Sequence, residues 1–260
     1  MRGHTARRRF GQNFLVDAHY VAKIVDAIDP RPGDNVVEIG PGLAALTGRL
    51  IERAGTIHAI EIDRDLAARL AMDFPSEKLM LHVADGLEFD YASLGPRLRV
   101  VGNLPYNISS PLLFRLAEYE SLLLDMHVML QKEVVARMTA QPATPDYGRL
   151  SVMLQVCFRI TRLFVVPPGA FQPAPKVDSA VARLVPLGGT KPHIANAALF
   201  AKIVAAAFGQ RRKTLRNALS GTCDTAALVT ARIDPGARGE TLSVADFVRL
   251  ANTLAAKVDG

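Results

Sequence analysis

Apolar segments with the length of strands alternate with amphipathic helical segments over the first two-thirds of the chain. Strands are predicted at residues 35–39, 56–62, 79–83, 98–102 and 126–130. Helices are predicted after the first two strands, at residues 43–54 and 64–73. Strands that are joined by helices run parallel, because the crossover returns the chain to the same end of the sheet. The alternation therefore predicts an α/β fold whose parallel sheet has helices on both faces.

In the later part of this region the pattern fits more than one kind of secondary structure. Residues 150–158 form an apolar run that fits a helix or a strand equally well, since runs of this length carry no decisive periodicity. Residues 177–185 alternate in polarity, which favours a last strand that closes the sheet.

A second, smaller domain is predicted after a linker at residues 187–192, which holds two glycines and a proline. Beyond it the pattern is helical. Asn196 can cap a helix whose apolar face repeats at Phe200, Val204 and Phe208. A second helix is predicted at residues 211–219, and a third begins at a capping box formed by Ser243 and Asp246. We expect a catalytic domain at 1–187 and an all-α domain at 193–260.

Positive charge is concentrated in this C-terminal region. Residues 190–260 hold ten basic and five acidic residues, a net of +5 out of +6 for the whole chain. A local cluster at Arg7, Arg8 and Arg9 adds charge near the N-terminus. This distribution fits a polyanionic partner such as RNA, although solvated helix surfaces produce the same pattern.

Several classes of protein are disfavoured by the composition. No apolar stretch reaches the ~18 residues of a membrane span. Cys157 and Cys223 are far apart, and the six histidines are scattered, so we expect no metal site. The phosphate-loop lysine motif and the Gly-x-Ser-x-Gly motif are both missing. A reduced, cytoplasmic protein without a membrane partner is the expectation.

The first four predicted strands each end in a group that can bind a ligand. The first leads into Gly40 and Gly42, which permit a tight turn and close approach of a ligand to the backbone. The second ends in Glu61, at the spacing where a carboxylate meets ribose hydroxyls. Asp85 follows the third strand, and Asn103 the fourth. Each acidic residue alone could equally cap a helix, but the ordered set predicts a nucleotide-like ligand at the carboxyl edge of the sheet.

The tetrapeptide from Asn103 to Tyr106 has the groups needed to hold a planar exocyclic amine. The Asn103 side-chain oxygen and the Leu104 carbonyl can each accept a hydrogen bond from an NH2 group, and Tyr106 can stack on the ring. Pro105 stiffens the turn. An ordinary strand-to-helix turn rich in Asn and Pro is the alternative.

With these motifs, the chain resembles the ribosomal RNA adenine N6,N6-dimethyltransferases, which are S-adenosylmethionine-dependent enzymes with a Rossmann-like fold. The resemblance covers nearly the whole chain. It rests on residues 12–15, 38–42, 103–106, 171–179 and 208–217, together with Glu61 and Asp85. The last of these segments is similar to the bacterial small-subunit enzymes. One departure is Ala44, where the family usually has glycine; we expect little cost there if the residue is helical.

The resemblance implies a role for individual residues. It implies that the cofactor S-adenosyl-L-methionine is contacted by Asn13, Leu15, Gly40, Glu61, Asp85 and Asn103. The target base would be held by Asn103, Leu104, Tyr106 and Phe171, although a core position is the alternative for Phe171. RNA phosphates would be contacted by Arg211, Arg212, Lys213 and Arg216.

The implied activity is dimethylation of two adjacent adenosines in a hairpin loop near the 3′ end of 16S ribosomal RNA, by a monomer that acts on the small subunit or its precursor. Two alternatives stay open. One is an adenine methyltransferase for large-subunit RNA or DNA, and the other is a ribosome assembly factor that binds RNA without catalysis.

Overall fold

The computed structural model describes residues 13–258, and these fall into two units. Unit 1 contains the described residues up to 135 together with 159–186. Unit 2 contains residues 136–158 and the residues from 187 onward. We predicted residues 136–158 as part of the catalytic domain, whereas the structure groups them with the C-terminal helices.

Seven strands form one sheet. In chain order they are β2 (Asn35–Ile39), β3 (Ile57–Glu61), β4 (Leu79–Val83), β5 (Leu98–Asn103), β6 (Leu123–Gln131), β7 (Phe158–Val166) and β9 (Ser179–Pro186). Their order across the sheet is β4-β3-β2-β5-β6-β9-β7. Strands β2 to β6 pair in parallel, and β9 pairs antiparallel with β6. The direction in which successive strands are added reverses between β2 and β5, and sheets of this kind bind ligands at that point.

The other elements of unit 1 cover the sheet and its carboxyl edge. The helices are α1 (Ala18–Ile28), α2 (Thr47–Ala54), α3 (Arg64–Asp73) and α4 (Ser109–Glu118). Helix α5 (Lys132–Thr139) contains the boundary between the units. Two short strands, β1 (Phe14–Leu15) and β8 (Phe171–Gln172), form a separate antiparallel ribbon.

Close approach of β2 and β5 depends on Gly102. A Cβ atom at that position would lie 2.4 Å from the Ile39 carbonyl oxygen, well inside contact distance. Glycine therefore lets the two strands that flank the reversal point meet closely at their carboxyl ends.

A buried ion pair joins β5 to β6 at the amino end of the strands. The Arg99 guanidinium donates to both carboxylate oxygens of Asp125, at 3.0 Å each. It also donates to the Ile28 carbonyl at the end of α1. Arg99 thus satisfies its hydrogen-bonding groups inside an otherwise apolar strand, which is what allows a buried charge.

Unit 2 is helical in its described residues, as predicted for the C-terminal region. Its complete helices are α6 (Arg149–Gln155), α7 (Ala197–Gly209), α8 (Leu215–Ala218), α9 (Thr225–Thr230) and α10 (Val244–Val258). The Asn196 side chain accepts from the Leu199 N–H and caps α7, and Ser243 and Asp246 form the predicted capping box. Both caps confirm helix starts that were predicted from the sequence.

The predicted helix at residues 211–219 is wrong in its first half. Residues 210–213 form turns, and the helix α8 begins only at Leu215. The Leu215 N–H donates to the Ala237 carbonyl at 2.8 Å. If the helix began earlier, this N–H would bond a carbonyl of the preceding turn, so the distant segment takes the place of that turn. Arg212 and Arg216 therefore do not share a helix face.

The helix predicted at residues 43–54 also begins later, at Thr47. Ala44 is not helical: its φ is +65°, in the left-handed region that favours glycine. Our expectation that alanine costs little at this position was wrong, because it assumed a helical backbone. Alanine at this φ is strained, because its Cβ lies too close to the following carbonyl oxygen, and glycine would avoid that contact.

Replacing Ala44 by glycine is therefore expected to stabilise the protein. The left-handed conformation destabilises an L-residue by about 1–2 kcal/mol. Glycine removes this strain, but its greater freedom in the unfolded chain lowers the gain in stability by about 0.4–1 kcal/mol. We expect Ala44→Gly to raise the free energy of unfolding by about 0.5–1 kcal/mol in urea titrations. Ala45→Gly is the matched control, since the φ of Ala45 is not positive, and it should lower stability. Equal losses in both variants would contradict the account.

Candidate active site

A cavity of about 290 Å³ opens at the carboxyl ends of the parallel strands, beside the reversal point between β2 and β5. Its lining includes every residue predicted to contact the cofactor: Asn13, Leu15, Gly40, Glu61, Asp85 and Asn103. Leu104 and Tyr106, which were predicted to hold the base, line the same cavity. The structure thus brings together groups that are spread over more than ninety positions of sequence.

The glycine loop after β2 forms one wall. Gly40 has φ +67° and Gly42 has φ +58°, so both need the conformational freedom of glycine. A Cβ atom on Gly42 would lie 3.1 Å from the Phe14 ring. The ribbon strand β1 therefore packs directly on the loop, which places Asn13 and Leu15 at the cavity.

Two carboxylates are held as oriented acceptors. Glu61 is almost fully buried; its side chain accepts from the Gly42 N–H at 3.2 Å and from the Asp63 N–H at 2.9 Å. Desolvation by burial raises the pKa of Glu61 above its usual value. The Asp85 carboxylate accepts from the Leu87 N–H at 2.9 Å. A carboxylate can accept about four hydrogen bonds, so both retain capacity for a ligand.

Glu38 is a third carboxylate on the cavity wall, and sequence reasoning gave it no role. It is 2% exposed and accepts from the Thr47 hydroxyl at 2.8 Å. Desolvation by burial raises the pKa of Glu38 to about 7, so it exchanges a proton near neutral pH. Its position inside an apolar strand, two residues before the first glycine of the loop, was the signal available in the sequence.

The Asn103 amide is oriented by the N-terminal segment. Its Nδ2 donates to the Asn13 carbonyl at 2.8 Å. Because the nitrogen of the Asn103 amide points to Asn13, the oxygen is the atom placed to accept a hydrogen bond from a ligand. The Leu104 N–H donates to the Met129 carbonyl at 3.1 Å and so fixes the adjacent peptide.

Phe171 lies elsewhere. It is 4% exposed, pairs with Leu15 in the β1–β8 ribbon, and belongs to the apolar core of unit 1. It is not part of the cavity lining among the described residues. The described conformation thus places the Phe171 ring in the core, and the stacking role given to it from the sequence stays a prediction.

The four predicted RNA-contacting residues lie in unit 2, and all are exposed. Arg211 is nevertheless committed within the unit: it donates to the Glu240 carboxylate at 2.7 Å and to the Pro145 carbonyl at 2.6 Å. These hydrogen bonds hold the turn at residues 210–213, and the RNA contact of Arg211 stays a prediction. The cluster at Arg7, Arg8 and Arg9 lies outside the described residues.

Residues 13–258 contain no group of three or more His, Cys, Asp or Glu side chains placed to bind a metal ion. None of the helices in that range has both the length and the apolar character that crossing a bilayer requires.

Comparison with known sequences places these features in a family. The family model for ribosomal RNA adenine dimethylase matches residues 3–256. A protein of Aromatoleum aromaticum named ribosomal RNA small subunit methyltransferase A is 60% identical, over 99% of this chain and 97% of its own length. A protein of the same name from Thiobacillus denitrificans is 57% identical, over 98% of this chain and 100% of its own length.

Two solved structures share the fold. A dimethyladenosine transferase from Plasmodium falciparum superposes with a TM-score of 0.78 at 24% identity, over 91% of this chain and 95% of that one. The 23S rRNA methyltransferase ErmE gives a TM-score of 0.70 at 28% identity, over 93% and 99% respectively. The fold is accordingly the Rossmann-like fold of S-adenosylmethionine-dependent methyltransferases, and the chain belongs to the ribosomal RNA adenine dimethylase family.

Proposed function

We propose that the protein transfers methyl groups from S-adenosyl-L-methionine to N6 of two adjacent adenosines in the 3′-terminal hairpin loop of 16S ribosomal RNA. The observation that carries the proposal is the convergence of Asn103 with Glu61 and Asp85 on one cavity. The choice of the small subunit is supported by relatives at 57% and 60% identity that are named for it, against 28% for ErmE.

The donor set of the cavity fits the cofactor. Glu61 is suited to accept from the ribose hydroxyls and Asp85 from the adenine amine, because both are oriented by backbone N–H groups. Gly40 permits close backbone approach, and Asn13 and Leu15 close the site from the N-terminal side. When bound, S-adenosylmethionine supplies a methyl group already activated on a sulfonium.

The remaining task for the protein is to make N6 nucleophilic and to aim it. The adenine N6 lone pair is delocalised into the ring. Hydrogen bonds from its two protons to Asn103 Oδ1 and the Leu104 carbonyl favour a more tetrahedral nitrogen, and Tyr106 holds the face of the base. The target base must leave its stack to reach this cavity. The methylated N6 gives up one proton to water and retains one, so one of the two acceptors is released before the second transfer.

The non-catalytic alternative is disfavoured by the same geometry. A protein that only binds RNA has no need for Glu61, Asp85 and Asn103 to line one cavity as oriented acceptors. We further propose that the protein acts as a monomer in the cytoplasm, where small-subunit particles are the substrate.

The direct test is mass spectrometry of nucleosides from small-subunit particles that lack the modification, after incubation with the protein and S-adenosylmethionine. We expect N6,N6-dimethyladenosine in the 16S RNA, two residues per particle. Large-subunit particles that also lack adenine methylation are the control and should remain unmodified. Dimethyladenosine in the large-subunit RNA alone would support the first alternative, and no product in either would support the second.

Cofactor binding should be coupled to proton release from Glu38. The pKa of this group is about 7 in the free protein, and a cationic ligand in the same cavity favours its ionised form. The pKa therefore falls on binding, a proton is released, and affinity rises with pH through about 7 before levelling off. Calorimetry in buffers of different ionisation enthalpy measures this release.

Glu38→Gln is the matched variant, because it keeps the shape and an acceptor for the Thr47 hydroxyl but cannot titrate. Its affinity should be nearly independent of pH between about 5 and 8. An unchanged slope in this variant would show that another group releases the proton.

The basic surface of unit 2 is proposed to contact RNA phosphates through Arg212, Lys213 and Arg216. The structure adds a fourth exposed cation: the Arg216 N–H donates to the Pro235 carbonyl at 3.0 Å and the Leu215 N–H to the Ala237 carbonyl, which brings Arg238 next to this segment. Phosphate contacts release counterions, so they appear in the salt dependence of binding.

The Arg212/Lys213/Arg216→Ala variant should bind the particle more weakly and with a shallower slope of log affinity against log salt, by about 0.7–0.9 for each lost contact. A matched loss of three exposed charges from unit 1, Arg49/Arg53/Arg69→Ala, should leave the slope nearly unchanged. The proposal for unit 2 is contradicted if both triple variants bind alike; cofactor affinity serves as the control for folding.

A further inference from the structure

Tyr106 is held by hydrogen bonds at its phenol and at its backbone. Its phenol oxygen lies 2.6 Å from the Ser179 hydroxyl oxygen, and its backbone carbonyl accepts from the Ser109 hydroxyl at 3.1 Å. Both serines are buried, with Ser179 0% and Ser109 3% exposed. Tyr106 itself is only partly buried and forms part of the cavity wall. The ring is thus fixed by groups behind the wall while one part of it faces the cavity.

Ser179 is held in place independently of Tyr106. It is the first residue of β9 and pairs with Gln131, the last residue of β6. The Lys132 N–H donates to the Asp178 carbonyl at 2.9 Å, and the Lys132 ammonium lies 3.0 Å from the Asp178 carboxylate. Because β9 runs antiparallel to β6, its first residue lies at the carboxyl edge of the parallel strands. The hydroxyl is therefore positioned by the sheet rather than by the substrate.

We propose that Ser179 is a positioning residue for methyl transfer, which acts by fixing the tilt of the Tyr106 ring against which the target adenine stacks. The proposal rests on the proposed function. A stacked base takes its plane from the ring beneath it, and in-line attack requires N6 to be aimed at the methyl carbon within a narrow range. Because the phenol oxygen is hydrogen-bonded to the buried Ser179 hydroxyl, we expect the ring to meet the base through its face.

This arrangement predicts that removing either hydroxyl has the same consequence. Tyr106→Phe retains the aromatic face and Ser179→Ala retains the phenol, yet both release the tether. Loss of this one hydrogen bond should lower the rate by about 3- to 10-fold. The loss should appear in the single-turnover methylation rate, with the affinities for RNA and for S-adenosylmethionine kept within about two-fold, because stacking and cofactor contacts persist.

The experiment is a double-mutant cycle on small-subunit particles, with single-turnover rates for the wild type, Ser179→Ala, Tyr106→Phe and the double variant. If Ser179 acts through the phenol, the double variant loses no more rate than either single variant. Ser151→Ala is the matched control: Ser151 is equally buried in unit 2, where its hydroxyl donates to the Arg137 carbonyl, and its loss should lower stability without lowering the single-turnover rate.

Two results would overturn the proposal. One is a double variant whose loss equals the product of the single losses, which would mean that Ser179 acts independently of Tyr106. The other is a wild-type rate in Tyr106→Phe, which leaves Ser179 intact and so decides the question even if Ser179→Ala fails to fold. A wild-type protein that methylates no adenine in the particle would instead refute the proposed function, and the positioning role with it.

Discussion

The hydrogen bond from the Asn103 amide nitrogen to the Asn13 carbonyl decides which atom Asn103 offers to the cavity. A free asparagine side chain can present its nitrogen or its oxygen, and only the oxygen can accept from an exocyclic amine. The carbonyl that makes the choice belongs to the segment before β1, and this segment is placed by Phe14 against Gly42. The glycine loop and the Asn103 amide are therefore both positioned by the residues of one short ribbon.

The features of this site that could be predicted are those that depend on the local sequence of each strand. Each strand that carries a ligand group is a short apolar run followed by a turn, and Glu61, Asp85 and Asn103 all lie where those runs end. The parallel order then follows from the intervening helices, so the convergence of these residues could be predicted from the amino-acid pattern. The late strand β9 was also predictable, since its polarity alternates. The neighbouring strand β7 was not predicted, because its second half, Leu163 to Val166, is a continuous apolar run without alternation.

The features that sequence reasoning missed depend on distant contacts. Ala44 has a positive φ, although the surrounding residues follow a helical pattern. Residues 210–213 form a turn instead of a helix, because the Leu215 N–H bonds the distant Ala237 carbonyl. Asn13 was reached only through family resemblance, since its carbonyl rather than its side chain bonds Asn103. The tether between Tyr106 and Ser179 joins positions 73 apart, with nothing in either local sequence to signal it.

We propose above all that the Asn103 side chain acts at the reacting nitrogen rather than in holding the RNA. It is tested most directly by the single-turnover methylation rate of Asn103→Ala on unmodified small-subunit particles, measured beside the affinity of the same variant for those particles. We expect methylation to be abolished while RNA affinity stays close to that of the wild type. Near-wild-type methylation by this variant would contradict it, because the acceptor that is held in place by the Asn13 carbonyl would then be dispensable.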